Sequence, residues 1–294
     1  MEAINKTFVI TGATSGIGLA AAEILAGLGA AVIGVSRDAD KCALTEKNLR
    51  LKSGNPRVYT LAADLSLQTE VRGLAVRIGE LLQSQGIGWL DGLVNNAGTF
   101  TYWMSLTADG VETQWAVNHL AGFLLTHELL PWLQAAPEAR VVTVSSASHR
   151  QGRSDWSDPQ TRRRYFGLHT YENTKLANVL FTTEFNRRHT GGNVRAFALD
   201  PGLVNTEIGF KGTPAIAAKI WQVRRAFGNP PEIPARAIAR LLLENQGNGD
   251  PLPYWKDGRP LRPSRRALDA QDAARMWTYS SNLCAIQEGG NETA

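Results

Sequence analysis

Apolar, β-branched runs alternate with segments of helical pattern along residues 6–200 of the chain. Because turn residues follow each run, the runs predict six buried strands, over residues 6–11, 31–36, 57–62, 90–94, 140–145 and 194–199. The segments between them predict helices over residues 19–28, 40–53, 66–85, 107–133 and 170–189. Strands and helices that alternate in this way predict a parallel sheet with helices on both faces, which is a doubly wound α/β fold.

A glycine-rich turn, Gly12-Ala13-Thr14-Ser15-Gly16-Ile17-Gly18, joins the first predicted strand to the first helix. A helix N-terminus offers unpaired N–H groups and the positive end of a dipole, which together bind phosphate. Gly12 permits a tight turn, Gly16 lets the backbone approach a pyrophosphate, and Gly18 lets helix and strand pack closely. An ordinary strand-to-helix turn would also use glycines, but the layout favours a dinucleotide site in a Rossmann-type sheet.

After Gly202 the pattern loosens, and it predicts helices over 214–227, 234–244 and 264–283 with a short strand at Tyr254–Trp255. We expect a single domain over residues 1–294, with a dinucleotide-binding core at 6–200, a substrate-covering segment at 201–263 and a C-terminal helix at 264–286. The covering segment is rich in glycine and proline, so we expect a mobile lid that sets substrate specificity. Its large apolar residues include Phe210, Trp221 and Phe227.

Composition indicates an ordinary globular protein, since 43% of the 294 residues are hydrophobic, 20% are charged and the net charge is +4. Clusters such as Arg162–Arg164 are expected on a solvated surface and not in a nucleic-acid interface. Cys42 and Cys284 lie far apart, so we expect neither a disulfide scaffold nor a metal site. With no apolar run of membrane-spanning length and no room for a signal peptide before the first strand, we expect a soluble, cytoplasmic protein.

Two short motifs can carry acid–base chemistry. Tyr171 and Lys175 stand at i and i+4 of a predicted helix and share one face, where the ammonium favours the phenolate and makes the phenol a usable proton donor. A surface Tyr–Lys pair is the alternative interpretation. Ser145 and Ser146 end the fifth predicted strand, where a hydroxyl can orient a substrate oxygen, although two serines can also be a plain polar strand terminus.

The order of these motifs resembles that of the short-chain dehydrogenase/reductase family. The resemblance spans about residues 6–210. It rests on Thr11-Gly12-x-x-x-Gly16-Ile17-Gly18, Asn95-Asn96-Ala97-Gly98, a strand-end serine, Tyr171-x-x-x-Lys175 and Pro201-Gly202-x-Val204-x-Thr206. It implies that Tyr171 is the acid/base and that Lys175 lowers its pKa while binding the nicotinamide ribose. It also implies that Ser146, which matches the second serine of the family pair, holds the substrate oxygen, and that Asn118 anchors a water in a proton relay to Lys175.

The choice of cofactor depends on the end of the second predicted strand. An NAD enzyme of this fold usually carries Asp or Glu there, whereas this chain has Ser36 followed by Arg37. A guanidinium can pair with a 2′-phosphate, so we expect NADPH, with an exposed arginine as the alternative. Asp64, beside Leu65, is expected to accept from the adenine amino group, and it can also cap a helix. The expected cofactor-binding residues are Gly12, Thr14, Ser15, Gly16, Ile17, Gly18, Arg37, Asp64, Leu65, Asn96, Ala97, Gly98, Tyr171, Lys175, Pro201, Gly202, Val204 and Thr206.

Within the family the chain resembles the retinol-dehydrogenase-like branch, and it is also similar to light-dependent protochlorophyllide reductases and bacterial polyketide ketoreductases. The branch resemblance rests on Val117-Asn118-His119-Leu120, Ser145-Ser146-Ala147-Ser148-His149, Tyr171 to Asn178 and Tyr254-Trp255-x-Asp257-Gly258. We expect an NADPH-dependent oxidoreductase that interconverts a carbonyl and an alcohol on a bulky lipophilic or polyketide-like small molecule, as a monomer or homo-oligomer. Light-driven reduction of a tetrapyrrole double bond and NADP sensing without turnover are the alternatives.

Overall fold

The computed structural model describes residues 2–205, 228–244 and 253–286. The predicted helix over 214–227, the aromatic residues Phe210, Trp221 and Phe227 of the expected lid, and Thr206 lie outside these ranges. The described strands are β1 Thr7–Thr11, β2 Ala31–Ser36, β3 Val58–Ala62, β4 Gly92–Asn95, β5 Ala139–Val144, β6 Val194–Asp200, β7 Tyr254–Lys256 and β8 Arg259–Pro260. They form one sheet in the order β3-β2-β1-β4-β5-β6-β7-β8.

The described helices are α1 Gly16–Gly27, α2 Ala39–Ser53, α3 Gln68–Ser84, α4 Thr113–Trp115, α5 Ala121–Glu128, α6 Leu130–Gln134, α7 Gly167–Arg188, α8 Glu232–Leu243 and α9 Ala270–Leu283. A π-helical segment, Ala116–Leu120, joins α4 to α5, and 3₁₀ turns cover Ala147–Arg150 and Arg266–Leu268. None of the helices in the described ranges combines the length and the apolar character needed to cross a membrane.

The sheet is parallel from β3 to β7, and only β8 runs antiparallel to its neighbour. Successive strand residues face opposite sides, so Val9 belongs to one apolar core whereas Phe8 and Ile10 belong to the other. The first core lies under α3, α5 and α7, and the second lies under α1 and α8. The predicted doubly wound, Rossmann-type fold is therefore confirmed.

β1 is the point at which the strand order reverses, because it lies between β2 and β4. The chain moves outward from β1 through β2 to β3 and then crosses back to β4 on the other side. In open α/β sheets, ligands bind beyond the carboxyl ends of the strands at such a reversal. The topology therefore predicts a ligand site at the loops that follow β1 and β4.

The prediction of one long helix over 107–133 is wrong, because the segment forms several shorter helices and begins later. Gly110 has a φ of +70° in a turn, and the side chain of Glu112 accepts from the Trp115 N–H, so that helical structure begins only at Thr113. The π-helical segment then interrupts the α-helical pattern, and α5 ends at Glu128 before α6 starts at Leu130, with Pro131 in its first turn. Local hydrogen bonding and proline break the helix although the apolar spacing continues.

The C-terminal helix is also shorter than the prediction. Asp269 caps α9 by accepting from the N–H groups of Gln271 and Asp272, so the helix begins at Ala270 and not at residue 264. The predicted short strand at Tyr254–Trp255 is present as β7. Its partner β8 was not predicted, and it forms because Asp257 and Gly258 adopt positive φ angles in the hairpin turn.

Candidate active site

The residues singled out in the sequence meet at one edge of the sheet. Each follows the carboxyl end of a different parallel strand: Gly12 follows β1, Arg37 β2, Asp64 β3, Asn96 β4, Ser146 β5 and Pro201 β6. The helix that carries Tyr171 and Lys175, α7, packs beside β5 and β6. The sequence motifs therefore share the edge of the sheet at which this fold binds ligands.

The glycine turn needs its glycines. Gly12 and Gly16 have φ angles of +70° and +54°, a region that side chains disfavour. A Cβ atom on Gly18 would lie 2.3 Å from the Gly12 carbonyl oxygen and 2.5 Å from Asn96 Nδ2. The start of α1 is thus pressed against the turn, and a side chain at Gly18 would not fit there.

The N-terminus of α1 is open to an anion. Ser15 occupies the N-cap position, but its exposed side chain forms no capping hydrogen bond, and the first turn of α1 contains no acidic residue. The backbone N–H groups of that turn keep the positive end of the helix dipole unneutralised. This arrangement fits the pyrophosphate of a dinucleotide.

Thr11 and Asn96 bind the ends of β1 and β4 together. Thr11 Oγ1 accepts from the N–H groups of Asn96 and Ala97, both at 3.0 Å, and donates to the Val94 carbonyl at 3.2 Å. Asn96 Nδ2 donates to the Thr11 carbonyl at 2.8 Å. The half-buried Ala97 and Gly98 follow directly, so the glycine turn and the loop after β4 form one unit.

Arg37 is exposed at the end of β2, beside the glycine turn. Ser36 Oγ and Thr14 Oγ1 are hydrogen-bonded at 2.9 Å and hold the turn against this strand end. Among the described residues, none pairs with the Arg37 side chain. The neighbouring Asp38 caps α2 and accepts from the N–H groups of Lys41 and Asp40. These bonds, led by that of Lys41, hold the pKa of Asp38 below its usual value.

Asp64 and Leu65 follow β3. Asp64 accepts from the Ser66 N–H at 3.0 Å in a side-chain turn. The N-cap of α3 is Leu67 and not Asp64, so the capping role considered for Asp64 is wrong. Leu65 is buried in the core under α3 and α5.

Tyr171 and Lys175 face the same side of α7, as their spacing predicts. The Lys175 ammonium lies 5.4 Å from the centroid of the Tyr171 ring, and the Phe100 ring packs edge-on against that ring at 6.0 Å. Lys175 is only 3% exposed and donates to the Val144 carbonyl at 3.0 Å. Burial without a carboxylate partner among the described residues lowers the pKa of Lys175 to about 8.

The two serines at the end of β5 have different environments. Ser145 is 1% exposed, and its hydroxyl donates to the Lys175 carbonyl at 2.8 Å, which fastens α7 to β5. Ser146 is half-buried, and its Oγ accepts from the Ser148 N–H at 3.2 Å, so its own proton is available to another acceptor. Ser146 is therefore the serine that can donate to a ligand.

Asn118 lies in the π-helical segment and fastens the loop after β4. Its Oδ1 accepts from the Thr99 N–H at 2.6 Å, and its Nδ2 donates to the Thr99 carbonyl at 2.9 Å and to Thr174 Oγ1 at 3.2 Å. Its main-chain carbonyl accepts from Asn178 Nδ2 at 3.0 Å. The side chain is thus committed to protein contacts, and the main-chain carbonyl ties the π-helical segment to α7.

Asn178 is a site residue that the sequence argument missed. Its Nδ2 donates to the carbonyls of Asn118 and Val144, at 3.0 and 3.3 Å, and its Oδ1 lies 3.1 Å from His119 Nδ1. His119 Nε2 lies 2.8 Å from Ser280 Oγ of α9. Burial lowers the pKa of His119 to about 4, so the ring is neutral. Because Asn178 Oδ1 can only accept, Nδ1 carries the proton. The spacing of Asn178 from Lys175, i+3 on one helix face, was the signal that could have identified it.

The chain after β6 turns sharply at Pro201-Gly202. Gly202 has a φ of +71°, and its N–H donates to Asp200 Oδ1 at 3.0 Å. Val204 then forms a parallel bridge with Asn229, which follows residues 206–227 in the sequence. Thr206, the last expected cofactor residue, lies outside the described part of the chain, and the expected lid stays a prediction.

Comparison with known proteins shows the family of the chain. A family model described as short chain dehydrogenase matches residues 6–214. Retinol dehydrogenase 11 of Homo sapiens is 39% identical over 287 residues, which cover 96% of this chain and 86% of that protein. Retinol dehydrogenase 12 of Mus musculus is 35% identical over 283 residues, covering 96% and 87% respectively.

Solved structures have the same architecture. A protein from Mycobacterium paratuberculosis, 32% identical, superposes with a TM-score of 0.74 over 99% of this chain and 97% of its own. A short chain dehydrogenase from Burkholderia cenocepacia, solved in complex with NADP, has a TM-score of 0.67 at 23% identity, over 88% of this chain and 98% of its own. The family match, the similarity to retinol dehydrogenases and the shared fold together show that the chain belongs to the short-chain dehydrogenase/reductase family, in its retinol-dehydrogenase-like branch.

Proposed function

We propose that the protein is an NADPH-dependent oxidoreductase that interconverts a carbonyl and an alcohol on a bulky lipophilic substrate. The observation that carries the proposal is the position of the buried Lys175 ammonium. It lies 5.4 Å from the centroid of the Tyr171 ring and donates to the Val144 carbonyl, two residues before Ser146 at the end of β5. A phenol, a cation and a hydroxyl donor together can hold a carbonyl oxygen and exchange a proton with it.

The glycine turn, Arg37 and Lys175 would hold the cofactor. The uncapped α1 N-terminus suits its pyrophosphate, and Arg37 suits a 2′-phosphate because the neighbouring Asp38 carboxylate is engaged by the helix that it caps. When bound, NADPH supplies a hydride to the carbonyl carbon. The NADP complex of the Burkholderia cenocepacia relative is consistent with this choice of cofactor.

Proton transfer is the task of the protein side chains. In the reducing direction Tyr171 gives its proton to the substrate oxygen while Ser146 donates a hydrogen bond to the same atom. The ammonium of Lys175 near the ring favours the phenolate that results. The family resemblance implies that Asn118 anchors a water that returns a proton towards Lys175. In the oxidising direction the same groups act in reverse.

The surroundings of Tyr171 support a lipophilic substrate. Phe166 and Leu168 are exposed at the start of α7, and Trp103 is 67% exposed in the loop after β4. A Cβ atom on Gly167 would lie 2.2 Å from the Thr101 carbonyl oxygen, so this loop packs directly on the start of α7. An apolar rim therefore borders the end of the helix that carries Tyr171, as a bulky apolar ligand requires.

The proposal is tested by NADPH oxidation in the dark with four carbonyls: all-trans-retinal, a 3-ketosteroid, an ortho-quinone and trans-1-decalone. Turnover of at least one to the corresponding alcohol supports the proposal, and turnover in the dark separates it from light-driven reduction. NADPH binding with no turnover of any of the four would contradict it and would favour a binding protein.

Arg37→Ala should weaken NADPH binding and leave NADH binding nearly unchanged, because only NADPH carries the 2′-phosphate. Loss of one charge-assisted pair costs on the order of 1–3 kcal/mol, or roughly fivefold to 150-fold in the dissociation constant. Calorimetry with both nucleotides measures the effect. Arg275→Ala, an exposed arginine of α9, is the matched control. Equal affinity of the wild type for the two nucleotides would contradict the assignment.

Tyr171→Phe should lower kcat by roughly 10²–10⁴-fold, the usual contribution of a general acid. Binding of NADPH should change little, because the phenol acts on the substrate oxygen. Steady-state kinetics and calorimetry check the two parts separately. Tyr59→Phe, which removes a hydroxyl bonded to Gln85 at the sheet edge, is the control. A Tyr171→Phe enzyme with a near-normal kcat would remove the residue from its proposed role.

Lys175→Met should stabilise the cofactor-free fold at pH 7 while abolishing turnover. In the folded wild type Lys175 is charged below about pH 8, whereas in the unfolded chain the same side chain has a pKa near 10.5. Removing the buried charge stabilises the fold, and losing the hydrogen bond to Val144 offsets part of that gain. The net free energy of unfolding should rise by on the order of 2 kcal/mol. Val144 still accepts from Asn178 in the variant.

The lowered pKa of Lys175 also makes the stability of the fold depend on pH. Between about pH 8 and 10.5 the folded protein has released the Lys175 proton and the unfolded chain has not, so stability from this group rises with pH. Urea unfolding across that range should show a steeper rise for wild type than for Lys175→Met, with exposed Lys47→Met behaving as wild type. Parallel pH profiles for all three proteins would contradict a depressed Lys175 pKa.

A further inference from the structure

His149 lies directly behind Ser146 and is fully buried. Its Nδ1 lies 2.8 Å from the Ser146 carbonyl oxygen, and its Nε2 lies 3.1 Å from the backbone nitrogen of Ser264. Ser264 belongs to the segment between β8 and α9, far from Ser146 in the sequence. The imidazole therefore bridges the end of β5 and the C-terminal part of the chain.

The two partners determine the tautomer of His149. The Ser264 N–H can only donate, so Nε2 must be the unprotonated acceptor. The Ser146 carbonyl can only accept, so Nδ1 must carry the proton and donate it. Both ring nitrogens are satisfied only in the neutral Nδ1–H form. A protonated ring would set an Nε2–H against the Ser264 N–H, two donors facing each other.

The bridge acts on the backbone that orients the Ser146 hydroxyl. The Ser146 carbonyl accepts from both the N–H and the Nδ1–H of His149, so its two lone pairs are used. Ser146 itself is extended, with φ −172° and ψ 157°, and its Oγ accepts from the Ser148 N–H. The two bonds from His149 hold the Ser146 backbone, and the bond from the Ser148 N–H holds the hydroxyl relative to that backbone. An intact bridge therefore keeps the hydroxyl pointing in one direction.

We propose that His149 is a positioning residue, which in its neutral Nδ1–H form locks Ser146 in the orientation that holds the substrate oxygen and ties this serine to the C-terminal segment at Ser264. The inference rests on the proposed function, because it requires Ser146 to act on the substrate. It assigns a role to a buried histidine that does not itself touch the substrate oxygen.

The charges around His149 determine the sign of its pH dependence. Burial and nearby Arg150 lower its pKa, whereas the bond to Ser146 and the charge of Asp200 raise it, and burial is the largest of these effects. The Tyr254 ring packs on the imidazole at 4.6 Å between centroids. The active form is neutral, so kcat should fall as the pH drops through a value below 6.5.

Two substitutions separate the halves of the bridge. His149→Asn puts an amide N–H near the position of Nδ1 and keeps the bond to Ser146, whereas His149→Gln puts an acceptor near Nε2 and keeps only the bond to Ser264. With whichever of the four carbonyls is turned over fastest, His149→Gln should lower kcat on the order of 100-fold, as misplacement of a reacting group does. His149→Asn should recover most of that loss and should abolish the acid limb of the pH profile.

A merely structural role for His149 gives a different result. Both variants would then lose thermal stability alike, and the folded fraction, counted by bound NADPH, would turn over at the wild-type kcat with the wild-type acid limb. That outcome would overturn the proposal. Ring ¹H–¹⁵N spectra, assigned by loss of the signal in His149→Asn, test the tautomer without substrate, and an Nε2–H form at pH 7 would also overturn it.

The serine variant distinguishes failure of this inference from failure of the proposed function. Ser146→Ala should lower kcat, and adding His149→Gln to it should cause no further loss, because the histidine acts through the serine. If Ser146→Ala has a normal kcat, the role of Ser146 in the proposed function is wrong and the inference falls with it. If Ser146→Ala is impaired but His149→Gln is normal, only the positioning role is wrong.

Discussion

The buried ammonium of Lys175 is the constraint on which the arrangement of the site depends. A charge with 3% exposure needs polar partners, and the Val144 carbonyl at the end of β5 provides one. Ser145 donates to the Lys175 carbonyl and holds the same turn of α7 against the same strand. Tyr171, one turn earlier, is thereby fixed near the strand end that continues into Ser146. The Tyr171 ring, the Lys175 ammonium and the end of β5 are thus held together because one buried charge is satisfied there.

The strands could be predicted from sequence because they are buried on both faces. Val9, Ile33 and Val141 enter one core while Phe8, Val32 and Val142 enter the other, so the central strands are predominantly apolar. The helix over 107–133 was harder to predict, because an apolar spacing persists through the turn at Gly110 and the π-helical segment. Those breaks come from individual hydrogen bonds and backbone angles, which periodicity does not record.

Some residues of the candidate site could be predicted from sequence and others could not. Tyr171 and Lys175 could be paired from sequence since residues four apart share a helix face, and the glycine turn was marked by its own composition. His119 and His149 are different, because their partners lie on other elements. The bond from Ser264 to His149 crosses 115 residues of chain, and that from His119 to Ser280 crosses 161. Such contacts depend on tertiary packing and leave no local pattern.

The polar network also joins the site to the C-terminal part of the chain. Asn178 contacts His119, and His119 contacts Ser280 on α9, while His149 contacts Ser264 just before α9. Both connections run through neutral imidazoles with depressed pKa values, so burial keeps them uncharged over the neutral range. The C-terminal part of the chain thus contacts Asn178 through His119, and the Ser146 carbonyl through His149. The C-terminal helix also covers the apolar core.

Deuterium transfer tests the central claim most directly. NADPH labelled with deuterium at the transferable position of its nicotinamide is incubated in the dark with the carbonyl that is turned over, and the product is examined by NMR and mass spectrometry. The account predicts an alcohol with one deuterium on the carbinol carbon, and in Tyr171→Phe very little of it. Deuterium at a reduced carbon–carbon double bond with the carbonyl intact, or oxidation of NADPH with no deuterium in the product, would contradict the account.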